Sequence, residues 1–275
     1  MTPQSAGAAK AGASPIILRE DRGPVALLIL NRPAARNSLS QEMIDTLSSE
    51  IAKAGDDKNV RVVILAANGP GFCAGHDMKE MTAHRADPDK GRAFFQHMFE
   101  SCAKMMMSIV HLPKPVIAAV GGTASAAGAQ LVASCDLAVA SMNAQFATPG
   151  VNIGLFCSTP MVALSRNVSN KQAMEMLLPG DLISAQRAYE MGLINRVVDP
   201  ESERHEAFQL ANKIASKSAY TLKVGKEAFY RQRELDLEGA YRYTAQVMTE
   251  NMLARDAEEG VSAFVEKREP KWEDR

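Results

Sequence analysis

KPVIAAVGGTASAAGAQLVASCDLAVAS, residues 114–141, places a short apolar run on either side of a segment of small residues. The runs are Val116–Val120 and 137–140, and the small segment, 126–134, is helix-prone. Neither run alternates apolar with polar residues, so neither reads as a strand with one face in water. A strand, a helix and a second strand of similar length describe a crossover, the connection that joins parallel neighbours. Pro113 and Pro115 separate this unit from what precedes it, because proline lacks the N–H a helix needs and its ring crowds the carbonyl four residues back. The stretch therefore predicts an α/β fold with a buried, mainly parallel sheet.

The same order recurs toward the amino terminus. VALLIL, Val25–Leu30, is short, wholly apolar and closed by Asn31, Arg32 and Pro33, so it reads as a buried strand running into a turn. Ser40 is a helix N-cap before 41–55, where Met43, Ile44, Leu47 and Ile51 fall at helical spacing and Gly55 ends the run. Residues 60–66 (VRVVILA) form the next strand, and a long helix spans about 91–110. Toward the carboxy terminus helices dominate from Ser184, interrupted by a strand-like LINRVVD at 193–199, and then continue through Phe229 and Met252 to Phe264. The expected organisation is a leader at 1–15, an α/β core at 16–200 and a helical region at 201–275, with no linker between the last two.

Composition limits the function classes. With 275 residues and 46% hydrophobic content the chain can bury a large core. Its 31 basic and 32 acidic side chains leave a net charge of −1, which offers no footprint for nucleic acid or an anionic membrane. No run approaches the roughly 20 apolar residues of a membrane span. Cys73, Cys102, Cys135 and Cys157 are widely spaced, and His76, His84, His97, His111 and His205 form no ligand pair, so no metal site is expected. The leader is rich in alanine, glycine and serine and has no arginine, which makes cytoplasm the default location and a mitochondrial address the alternative.

Three segments together resemble the crotonase superfamily, also called the enoyl-CoA hydratase/isomerase family. They are LNRPAARNSLS at 30–40, GFCAGHDMKEM at 71–81, and 114–141 followed by QFATPGVNIGL at 145–155. GDLISAQRAYEMGLINRVV at 180–198 and EEGVSAFVEKREPKW at 258–272 support them. The resemblance implies a spiral of ββα units with a helical carboxy-terminal trimerisation region, assembled as a homotrimer or a dimer of trimers. It implies an acyl-CoA thioester as ligand, with coenzyme A entering as part of the substrate and no prosthetic group. The backbone N–H groups of His76 and Ala127 would form an oxyanion hole, which suits loops of small residues at helix starts, where N–H groups lack acceptors. By the same resemblance, Cys73, Ala74 and Gly75 would meet the adenine and pantetheine, and Arg36 and Lys79 would approach phosphate. Phe264 and Lys267 would reach the nucleotide of a neighbouring subunit. A plainer reading also stands, in which Gly75 permits a tight turn, Asp77 caps a helix and the small residues of 125–129 serve packing.

The family's hydratases use two glutamates to activate water, and here Gln130 and Gly150 occupy those places. An amide cannot take a proton from water and glycine offers no side chain, so ordinary hydration is not expected. The family's isomerases use one carboxylate at the second place, which Gly150 also lacks. LFCSTP at 155–160 would reshape the acyl pocket with Phe156, Cys157, Ser158 and Thr159. Candidate substitutes for the acids are the His76 imidazole, Asp77, Glu80 and, as a nucleophile, Cys157. The alternatives are a non-catalytic acyl-CoA-binding protein and, less favoured, a serine hydrolase built on Ser125. Restoring glutamate at both 130 and 150 is expected to create crotonyl-CoA hydration if the pocket keeps hydratase geometry.

Overall fold

Every residue of VALLIL is buried because the strand lies between two cores. The computed structural model describes residues 14–275, so the expected leader lies almost wholly outside the described residues. β1 (Ile17–Arg22) and β2 (Val25–Leu30) form an antiparallel hairpin around Gly23. Ala26, Leu28 and Leu30 face one core, while Val25, Leu27 and Ile29 face the other. α1 (Gln41–Asp56), capped by Ser40, buries Met43, Ile44, Leu47 and Ile51 in the first core, and β3 (Val62–Ala67) divides its residues between the two as β2 does. β4 (Gly71–Cys73), α2 (Met78–Ala83) and α3 (Arg92–His111) follow.

The central stretch folds as its pattern predicts, with one addition. Between β5 (Val116–Val120) and α4 (Ala127–Ser134) lies a three-residue strand, β6 (Thr123–Ser125), and β7 (Leu137–Ser141) follows the helix. β8 (Gln145–Ala147), α5 (Ser158–Leu164), α6 (Asn170–Leu177), β9 (Ile183–Ser184), α7 (Ala185–Glu190) and β10 (Arg196–Val198) complete the sheet-bearing part. The main sheet runs β1-β2-β3-β5-β7-β10 and is parallel beyond its first pair. A second sheet, β4-β6-β8-β9, stands beside the mainly parallel sheet expected from sequence. Its strands are two or three residues long, too short to show a period.

α8 (Glu203–Ala215) covers the second face of the main sheet through Ala207, Ala211 and Ala215, whose spacing of four puts a small-residue stripe against the strands. α9 (Ala219–Gln232), α10 (Leu237–Met252) and α11 (Arg255–Glu266) follow. The tail is tied back: the Trp272 indole N–H donates to the Ser216 carbonyl at 2.9 Å, and Arg268 pairs with Glu259 at 2.6 Å. α10 and α11 leave Leu237, Tyr241, Met248, Phe264 and Val265 exposed. Among the described residues no helix is long and apolar enough to cross a membrane.

Candidate active site

β4 and β6 lie side by side and parallel, with Cys73 opposite Ala124, so the turns that leave them meet. Gly75 has φ +93°, and a Cβ placed on it would stand 3.0 Å from the Ala126 Cβ and 3.5 Å from the Ala127 nitrogen. Only glycine combines that backbone conformation with so close an approach. On the other side, the Leu39 N–H donates to the Gly75 carbonyl at 2.8 Å and the Asp77 N–H to the Leu39 carbonyl at 3.0 Å. This parallel bridge directs the intervening His76 N–H away from Leu39. The Ala127 N–H opens α4 and has no acceptor within the helix. Ala126, at φ 50° and ψ −116°, is strained for a residue with a Cβ. Its N–H donates to Ala147 at 2.9 Å and its carbonyl accepts from Gln130 at 3.0 Å, which holds the strain in place.

The 30–40 segment is the scaffold of the Gly75 turn. Arg32 reaches the Ser40 hydroxyl at 2.9 Å and the Asp77 carboxylate at 3.1 Å, and the buried Asn37 amide donates to the carbonyls of Asn68 and Gly71 at 2.9 Å each. Asp77 caps α2 through the N–H groups of Lys79 and Glu80. Burial pushes the Asp77 carboxyl up, but those N–H groups with Arg32 and Ser38 hold it below its ordinary range. The Glu80 carboxylate accepts from the Gln41 N–H at 3.0 Å, so it serves α1. Sequence reading recognised this motif without assigning Arg32 or Asn37 a role. Asparagine and arginine beside a proline turn were the available signal.

The nucleotide candidates fall in two groups. The Ala74 N–H donates to the Arg36 carbonyl at 3.0 Å, which joins Arg36 to Cys73, Ala74 and Gly75, and Lys79 follows at the start of α2. Arg36, Ala74 and Lys79 are exposed, whereas Cys73 is buried and its thiol is pushed up to about 12 by burial. Phe264 is 85% exposed and Lys267 ends α11 in a left-handed conformation; neither is joined to these loops by a hydrogen bond or ion pair.

The substitutes for the acids fare poorly. Both His76 ring nitrogens are buried without a hydrogen-bond partner, and the ring meets Phe99 edge-on at 5.3 Å. Burial drives the imidazole down to about 4, so it is neutral near pH 7. In the unfolded chain the ring takes its proton near ~6.5, so the unfolded state binds more protons between ~4 and ~6.5 and stability is lost as the pH drops through that window. Lowering the pH from about 7.5 to about 5 is expected to cost about 2 kcal/mol through His76 alone. His76→Leu should flatten that part of the urea-unfolding profile; an equally steep profile in the variant would place the acid sensitivity elsewhere. Cys157 is buried, and burial raises its thiol, against the opposing Gly150 backbone. Ser125 ends β6, and the histidine side-chain hydrogen bonds among the described residues are His84 to Asp87 and His205 to Gln209, so no triad forms.

Gln130 is 5% exposed, with an Oε1 that has no partner. Gly150 is the one buried residue of a 3-10 turn over Pro149–Ile153, where its carbonyl accepts from the Leu155 N–H at 2.9 Å. A Cβ here would stand 2.6 Å from the Leu155 carbonyl oxygen and 2.9 Å from the Cys157 Sγ. The returning chain therefore fills the place of the second glutamate, and restoring that residue does not fit the backbone as it stands. Gly150→Ala is expected to cost about 1–3 kcal/mol by overpacking, read by urea unfolding. The double glutamate variant is expected to shift 155–157 rather than hydrate crotonyl-CoA. Phe156 and Ser158 are exposed and Thr159 is half-buried beside this turn. Thr148 escaped sequence reading altogether: it is 1% exposed and its Oγ1 has no partner.

The human "Enoyl-CoA hydratase domain-containing protein 3, mitochondrial" is 46% identical over 271 residues, covering 98% of this chain and 87% of that protein. The 2,3-dehydroadipyl-CoA hydratase of Escherichia coli (strain K12) is 33% identical, covering 94% and 98%. A crystal structure of an enoyl-CoA hydratase from Mycobacterium smegmatis superposes with a TM-score of 0.89 at 49% identity, over 94% of this chain and 99% of that one. That of the human domain-containing protein 3 gives 0.88 at 44%, over 94% and 100%. The family profile described as enoyl-CoA hydratase/isomerase matches residues 20–275, and the chain belongs to that family, with its crotonase fold.

Proposed function

We propose that this chain binds an acyl-CoA thioester and polarises its carbonyl between the backbone N–H groups of His76 and Ala127. The observation that carries the reading is the contact of the two turns, in which the site of a Gly75 Cβ lies 3.5 Å from the Ala127 nitrogen. Two donors converging on one oxygen stabilise an enolate or oxyanion, and one such donor is worth ~3 kcal/mol in a barrier. With Gln130 and Gly150 in place of carboxylates, the proton route of such an acyl-CoA-processing enzyme runs through water or the substrate itself. The test is incubation with a panel of acyl- and enoyl-CoAs in deuterated water. Exchange at the α carbon without hydration of the double bond is the expected result.

A second reading, a non-catalytic acyl-CoA-binding protein, is favoured by the filled space at Gly150. Tight binding with neither exchange nor hydration across the panel would establish it. The exposed apolar residues of α10 and α11 support assembly as a homotrimer or dimer of trimers, with Phe264 and Lys267 offered to a neighbour's nucleotide. Sedimentation equilibrium reporting a monomer at micromolar concentration would count against that arrangement.

A further inference from the structure

We propose that a cavity at the amino-terminal edge of the main sheet is a binding site for a phosphoryl group, free or as a monoester, held where the Asp274 carboxylate sits. The acyl-CoA reading plays no part in it.

Chain order sets the place. β3 and β5 are parallel neighbours, and β4 and β6, which lead to the His76 and Ala127 turns, start within a few residues of their carboxyl ends. Arg61 and Lys114 stand just before the two strands, so the cavity of about 260 Å³ that they line lies at the opposite edge. α9 supplies Ala219 and Lys223 to its wall.

The cations Arg61, Lys114 and Lys223 line the cavity against one carboxylate, Asp274, and their donors are not all spent. The Lys114 ammonium serves the Ala54 and Asp57 carbonyls at 2.8 and 2.6 Å, so it lends the cavity its charge alone. Lys223 is exposed, and its ammonium has no partner among the described residues. Arg61 donates through Nη2 to the Lys217 carbonyl and to Asp274, but its Nε is buried with no acceptor. Buried donors are nearly always satisfied, so this one marks an acceptor that the chain does not supply.

Asp274 shows what the cavity holds. Its Oδ1 accepts from the Ala219 N–H, the first of α9, at 2.7 Å and from Arg61 at 2.9 Å. The residue takes φ +60° there, which is uncommon for a residue with a Cβ. A helix start beside an arginine fork favours a phosphoryl group, whose three terminal oxygens and higher charge can take both bonds and engage the Arg61 Nε and Lys223 as well. The planar carboxylate of Asp274, tethered to its own backbone, reaches only the first two donors.

The test is calorimetric titration with inorganic phosphate and with phenyl phosphate at constant ionic strength. Asp274→Asn keeps a side chain that tolerates positive φ and removes the resident charge, so it should bind phosphate about tenfold more tightly than the wild type. Lys223→Gln should bind it about fivefold more weakly than the wild type. Tighter binding of phenyl phosphate assigns the site to an ester, and equal binding to free phosphate; either supports it. No saturable binding to Asp274→Asn, or an affinity that Lys223→Gln leaves unchanged, would overturn the proposal. Loss of binding in Lys79→Gln would overturn it as well, by placing the phosphate at the other edge of the sheet. Should Asp274→Asn not fold, the comparison of the wild type with Lys223→Gln decides alone, since Lys223 is exposed.

Discussion

Gly128→Ala is expected to destabilise the fold by about 3 kcal/mol and to abolish polarisation of a bound thioester. Alanine is the better helix former by about 1 kcal/mol, so on propensity alone the variant would gain stability. Packing reverses the sign. Gly128 is the second residue of α4, and a Cβ there would overlap the Cys73 carbonyl and stand 2.9 Å from the Cys73 Cβ. The carbonyl belongs to β4 and cannot swing aside as a side-chain tip would, so α4 itself must lift from the strand. That movement carries the Ala127 N–H away from the His76 N–H. Urea unfolding reads the first effect, and the carbonyl stretch of a bound, isotope-labelled acyl-CoA reads the second. Wild-type stability together with a wild-type carbonyl shift would show that β4 and α4 are not held at this distance in solution.

The parts of this fold that were legible in the sequence are those buried on both sides. VALLIL and the runs at 62–66 and 116–120 carry no polar residue, because two separate cores require apolar residues at every position. β1 was not legible: ILREDR is an edge strand with one buried residue, and its charges pair with neighbours on the surface, as Arg19 does with Asp21 and Asp57. In the site, the glycine at 75 announced its turn, but the alanine at 126 gave no sign of its positive φ, since alanine rarely adopts one. The absence of the two glutamates was plain from the residues; the reason Gly150 must remain small was not, because it lies in the return of the chain at 155–157. His76 looked available as a base on residue type alone, and its burial against Phe99 depends on α3, a contact that local sequence does not encode. Thr148 was overlooked because a hydroxyl in a loop is ordinary and only its burial makes it informative.

Lys226→Met is expected to cost about 3–5 kcal/mol, because it leaves a buried anion without its counter-charge. α9 buries only one apolar residue, Ala228, so a polar cluster anchors it instead. The Lys226 side chain is 7% exposed and its ammonium reaches the Asp136 carboxylate at 2.7 Å, the Ile109 carbonyl at 2.9 Å and the Lys114 carbonyl at 3.0 Å. Tyr230 donates to the other Asp136 oxygen at 2.9 Å, and the Val116 N–H donates to the first at 2.7 Å. Burial lowers the Lys226 ammonium from its ordinary value, and Asp136 opposes that shift, so the carboxylate is what keeps the cation in place. Methionine preserves most of the volume but satisfies neither carbonyl and leaves the carboxylate with neutral donors alone. Asp136→Asn added to Lys226→Met is therefore expected to recover part of the loss, since the uncompensated charge is gone. The same cluster joins the end of α3, the loop after α4 and the first of the three carboxy-terminal helices. Its removal should thus weaken the proposed subunit contact as well, seen as concentration-dependent dissociation in sedimentation at loadings where the wild type stays associated. A variant within about 1 kcal/mol of wild type, with the double variant no better than the single, would mean that α9 is held by its surface contacts and not by this pair.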